Sequence, residues 1–112
     1  MSNPGKQTGP RSLFQKIWDG HVVSELGNGI SLVAIDRIFL HERTGSIALK
    51  SLRESGRPVA DPSRVFCTMD HIVDTFPGRG DDTSMRGGRA FIVETREAAS
   101  AAGIHLFDVR EP

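Results

Sequence analysis

Three things are scarce in this sequence: charge of one sign, cysteine, and uninterrupted apolar stretches. Fourteen Lys and Arg residues balance fourteen Asp and Glu, for a formal net charge of +0 at pH 7. A chain without one-signed charge is a poor electrostatic match for nucleic acid. With 38% hydrophobic residues it also has the means to build a core, which excludes a disordered tail. The single cysteine, Cys67, cannot form an internal disulfide, and the opening MSNPGKQTGP carries no apolar stretch of the kind a secretory signal needs. Together these predict a reducing, cytoplasmic setting. Charged and turn residues interrupt every apolar run short of the ~18 residues that a membrane span requires. No internal repeat is present. A length of 112 residues fits one domain, or one piece of a larger one, with room for a single site.

What is there reads as a series of short elements. Residues 1–11 are expected to form a flexible N-terminal arm. Ser12 then precedes Leu13, Phe14, Ile17 and Trp18, a capping residue followed by one apolar helical face, and the helix should end at Gly20. HVVSELGNGISLVAID reads as two extended runs joined through Gly27-Asn28-Gly29, residues suited to the positive φ of a tight turn. Thr44 to Ser55 favours helix, stopped by Gly56 and Pro58, and Val65 to Met69 is a short apolar strand. PGRGDDTSMRGGR has too much Gly for regular structure; its Arg79, Arg86 and Arg89 face Asp81 and Asp82 in composition, and either an anion-binding loop or a solvated one fits. The next stretch predicts a helix with Phe91, Ala98, Ala101 and Ala102 inward, Gly103 as its C-terminal cap, then a strand from Ile104 to Val109. Strand, loop, helix and strand make a βαβ crossover with parallel strands, so the expected class is α/β.

Candidate chemistry gathers where apolar runs end. In FCTMDHIVDT, Asp70 and His71 follow a strand, where functional groups of α/β sheets collect. Neighbours in a strand point to opposite faces, so the pair can act together only where the strand has ended or bent. A carboxylate beside an imidazole can orient it and favour its charged form, which suits proton donation; a capping Asp and a half-buried His bonded to backbone fit the same residues. Metal binding by Cys67, Asp70 and His71 would put three ligands within five residues, with no CxxC or HxxxH elsewhere, and is set aside. In FLHERTG, His41 lies beside the start of a helix whose N–H groups favour anions, and Glu42 and Thr44 could equally be simple caps. His21 and His105 sit in apolar runs and read as core or rim residues. The Phe, Trp and Met residues read as packing.

KIWDGHVV, IDRIFLHE followed by Thr44-Gly45, FCTMDH, DTFPG and AGIHLFDV, in that order, resemble the start of the large subunit of the 3-isopropylmalate dehydratases, within the aconitase superfamily. The resemblance runs from Leu13 onward. It implies a partial aconitase-like three-layer α/β/α domain over residues 12–112, and a hydro-lyase reaction: isomerisation of 2- and 3-isopropylmalate in leucine biosynthesis, or the chemistry of a related substituted-malate dehydratase. By the same resemblance Asp70 and His71 are the catalytic acid pair, and His41 and Thr44 contact substrate. The cofactor is a four-iron four-sulfur cluster, one iron of which acts as a Lewis acid. The implied partners are the remainder of the large subunit and a separate small subunit. The sequence departs from the family pattern in lacking the three cluster cysteines, two of them in a CxxC, and the later serine and arginines; Cys67 stands where relatives carry a small residue. The segment is therefore expected to bind no cluster and to be inactive alone, with sheet edges and an apolar face left open for self-association. The alternative is a free-standing α/β interaction or regulatory module without catalysis.

Overall fold

The computed structural model describes residues 9–111 and divides the chain into two compact units, Met1–Ile35 and Asp36–Pro112. The first eight residues of the expected arm, and Pro112, lie outside the described residues. In the first unit, helix α1 spans Leu13–His21 and starts at a reciprocal cap: the Gln15 N–H donates to Ser12 Oγ at 3.2 Å, and the Ser12 N–H donates to Gln15 Oε1 at 3.1 Å. Strands β1 (Val22–Gly27) and β2 (Ile30–Val33) pair antiparallel. The turn between them holds Gly27, Asn28 and Gly29 at φ of 87°, 53° and 74°, which is why that tripeptide can reverse the chain there. Phe14 stacks on Trp18, yet no described residue of this unit is buried.

The second unit is built from two successive βαβ crossovers. Strand β3 (Ile38–His41) leads through helix α2 (Gly45–Glu54) and a 3-10 turn at Pro62–Arg64 to β4 (Val65–Thr68); a long loop and helix α3 (Gly88–Ala102) then lead to β5 (His105–Phe107). The strands are parallel in the order β3-β4-β5, which places Leu40, Cys67 and Leu106 in one cross-strand row. That row faces the helices: Leu49 of α2 and Ala99 of α3 join Val65, Cys67 and Ile104 in a buried cluster. A second cluster of Met69, Ile72, Val73, Ile92 and Val109 lies beyond the end of β4.

Strand alternation puts Phe39, Phe66 and His105 on the opposite face, with His41, Thr68 and Phe107 one step further along. Among the described residues no helix of the second unit covers this face, and Phe39 remains 70% and Phe107 50% exposed. The α/β class and the parallel crossover are as the sequence predicts, and the unit supplies one helical layer and the sheet of a three-layer arrangement. Two local expectations need correction. The buried stripe of α3 is Ile92, Thr95 and Ala99; Phe91, Ala98 and Ala102 are half-buried at its margins, and Ala101 is exposed. The final strand is shorter than Ile104–Val109, because Asp108 and Val109 turn away into ion pairs and the second cluster.

Candidate functional site

Both parallel strands end their pairing at the same level, His41 opposite Thr68, so the residues that follow each strand emerge side by side. From β3 come His41 and Glu42; from β4 come Asp70 and His71. The chain leaves strand geometry after Thr68, which lets Asp70 and His71 turn toward each other: His71 Nδ1 lies 2.9 Å from Asp70 Oδ1. Thr68 Oγ1 donates to the same carboxylate oxygen at 3.1 Å. The His71 hydrogen bond first, then that of Thr68 and the nearby charges of His71 and His41, hold the Asp70 carboxyl below its ordinary pKa against a smaller opposing effect of burial. An ionised carboxylate only accepts, so the His71 nitrogen facing it carries the proton and Nε2 is the atom left to act.

The His41 ring lies flat on that of His71, centroids 3.7 Å apart and planes within 7°. His41 Nδ1 is buried without a hydrogen-bond partner. Thr44 joins this group through its backbone alone, its N–H donating to the His41 carbonyl at 3.3 Å. It occupies the N-cap position of α2, is exposed, and its hydroxyl makes no capping bond. The structure thus brings together the side chains of three of the four residues singled out in the sequence, His41, Asp70 and His71, with Thr44 beside them through its backbone.

Glu42 does not cap α2. Its side chain is fully buried, and its carboxylate accepts the backbone N–H groups of Asp70 at 3.0 Å, His71 at 2.6 Å and, closest, Ile72. Burial pushes its pKa up, but the Ile72, Asp70 and His71 amides outweigh that and leave the carboxyl below its ordinary value. Thr95, also fully buried, donates from Oγ1 to the Glu42 carbonyl at 3.1 Å and so ties α3 to the same turn. Neither residue is conspicuous in sequence: their partners lie 28 to 53 positions away, where no local spacing can reveal them.

His41, Glu42 and His71 offer ligand atoms within 4.8 Å of one another, the spacing of a metal site. The ring geometry opposes it. Imidazole binds a metal in the plane of its ring, and two parallel rings 3.7 Å apart present their lone pairs in separate planes. Glu42, moreover, already spends both oxygens on backbone donors. Cys67 belongs to no site: it is fully buried against the helices, and burial first, then the Glu42 and Asp70 charges, push its thiol up to about 11. His105 is exposed at the sheet rim, edge-on to Phe107. Of the three arginines that suggested anion binding, Arg89 pairs with Asp82 at 2.6 Å and Arg79 donates to the Asp74 carbonyl at 3.3 Å, while Asp81 pairs with Arg96 of α3 at 2.8 Å.

Comparison with known proteins gives one family match: the model for the aconitase family (aconitate hydratase) covers residues 15–108. Among curated proteins, the 3-isopropylmalate dehydratase large subunit 1 of Bradyrhizobium diazoefficiens is 36% identical over 102 residues, 91% of this chain and 21% of that protein. The chain therefore spans about a fifth of the length of this curated relative. No solved structure matches.

Proposed function

Since the chain belongs to the aconitase family, we propose that it is the N-terminal, acid-supplying segment of a hydro-lyase of the 3-isopropylmalate dehydratase type, inactive without the rest of the enzyme. The observation that carries this reading is the Asp70–His71 hydrogen bond, formed at the carboxyl end of β4 where α/β sheets present their chemistry. Removal of a hydroxyl group is difficult because hydroxide leaves poorly; a proton delivered during C–O cleavage turns it into water. His71 is placed to give that proton from Nε2 while Asp70, bonded to Nδ1, fixes the ring and balances its charge. His41, stacked on the same ring, lines the approach and offers a polar edge to a substrate carboxylate. Thr44 and the first turn of α2 extend that edge, with helix N–H groups suited to a negative charge.

The residues of this chain do not fit a four-iron four-sulfur cluster, which needs three thiolates, because the single thiol is buried in the core with a raised pKa. The cluster's ligands would come from the remainder of the large subunit. That remainder and a separate small subunit are the proposed partners. The uncovered aromatic face of the sheet and the unburied apolar side chains of α1 and the hairpin support an assembly in which other protein packs on both units. Among the described residues no helix is long and apolar enough to cross a membrane, and with a free, unpaired thiol the cytoplasm is the compartment we favour.

The test is to join residues 12–112 to the remainder of a relative's large subunit and assay it with the small subunit. Turnover of 3-isopropylmalate faster than that of citrate is expected, with none from the 112-residue chain alone. Preference for citrate would move the substrate assignment, and turnover by a metal-depleted sample of the chain alone would overturn the reading.

A further inference from the structure

Asp70 and His71 are consecutive, and consecutive side chains diverge in a strand, so something must hold the backbone in the turned form that lets them meet. Three successive amides, those of Asp70, His71 and Ile72, converge on one point, and that point is occupied by the Glu42 carboxylate. Converging backbone N–H groups of this kind form a concavity that favours an anion; here the chain supplies the anion itself, from a turn 28 residues earlier. We infer that Glu42 is the positioning residue of this site: its buried carboxylate sets the turn that presses His71 Nδ1 onto Asp70 and leaves Nε2 facing outward. The catalytic meaning of that positioning rests on the acid-pair reading above, whereas the geometry stands without it.

Three features support the role. Glu42 and Thr95 are both fully buried, and the Thr95 hydroxyl fixes the Glu42 backbone, so the carboxylate is aimed from α3 as well as from β3. His41 precedes Glu42 and stacks on His71, so the same turn delivers both the ring's face contact and its backbone anchor. The carboxyl also stays below its ordinary pKa despite burial, as expected of a charge solvated by amides.

The experiment is imidazole and amide nitrogen NMR on the full 112-residue chain, with the His71 signals assigned by their loss in His71→Asn. At a pH where the ring is neutral, the wild type is expected in the Nδ1–H tautomer, the less common form of a free histidine side chain, because Asp70 accepts that proton. Glu42→Gln removes the charge and turns an amide donor against backbone donors. His71 should shift toward the Nε2–H tautomer, and the amides of 70–72 should exchange at least about tenfold faster, with α2 and α3 still protected. Glu42→Asp, which restores the charge, should recover much of the Nδ1–H form. A general loss of packing would not move the tautomer while leaving helix protection intact. A folded Glu42→Gln variant that keeps the wild-type tautomer overturns the inference. If Glu42→Gln fails to fold, Thr95→Val is read the same way: a partial tautomer shift is expected, and none overturns it. The readout needs no turnover. A tautomer that responds to Glu42→Gln while the joined enzyme works normally without His71 removes the acid-pair reading alone; an unresponsive tautomer in an enzyme that needs His71 removes the positioning alone.

Discussion

Gly88 shows how tightly single positions frame the site. Its backbone is ordinary helix, so conformational freedom is not the reason for a glycine. A Cβ there would overlap Thr83 Cγ2 and lie 2.7 Å from Ile72 Cγ2, the residue whose amide reaches Glu42. Helix propensity alone favours Gly88→Ala by up to ~1 kcal/mol, while forcing a methyl into packed atoms costs about 1–3 kcal/mol. The clash should win, and Gly88→Ala should lower the melting temperature and disturb the amide of Ile72. At this scale the sequence was legible where partners are neighbours. Asp70 and His71 could be placed together at a strand end, though their pairing came from the family resemblance, and Ser12 could be read as a cap. Glu42 and Thr95 were illegible because a carboxylate after an apolar run looks like a cap, and only the parallel register of β3 and β4 reveals which amides it meets.

Among elements, the ion cluster around Arg96 fastens the long loop and the end of β5 to α3. Its guanidinium reaches Asp108 at 2.6 Å and Asp81 at 2.8 Å, and Arg110 adds a contact to Asp108 at 3.2 Å. Hydrogen bonds from Arg96, with further help from Arg110, hold Asp108 well below the usual carboxylate range although burial opposes this. Asp81 is lowered chiefly by the same arginine. A depressed folded pKa contributes stability that is fully present above the ordinary carboxylate value of about 4 and is lost as pH falls through the folded value. Arg96→Gln should therefore cost roughly 2 kcal/mol near neutral pH, and the gap in melting temperature from wild type should narrow below about pH 4. A gap independent of pH would assign the loss to packing of the arginine stem. Helix ends, the hairpin and the parallel crossover were readable from capping residues, Gly-Asn-Gly and apolar runs. The inward stripe of α3 was not, since its alanines suggested a face that Ile92 and Thr95 in fact take.

For the whole molecule, the unburied apolar surface decides behaviour. In the first unit Leu13, Phe14 and Ile35 are 68–74% exposed, and in the second Phe39 is 70% exposed on a sheet whose two outer strands each leave one edge without a strand partner among the described residues. Open edges and aromatic patches of this kind drive association. The chain alone should form oligomers whose mass rises with concentration in light scattering, and a monomer over a wide concentration range would contradict that. The central claim, that His71 supplies the proton to the leaving hydroxyl, is tested most directly by His71→Asn in the joined enzyme, with kcat expressed per intact cluster. General acid catalysis contributes about 10²- to 10⁴-fold, so kcat should fall by that factor with KM and melting temperature nearly unchanged; near-normal kcat with a lowered melting temperature would contradict the account.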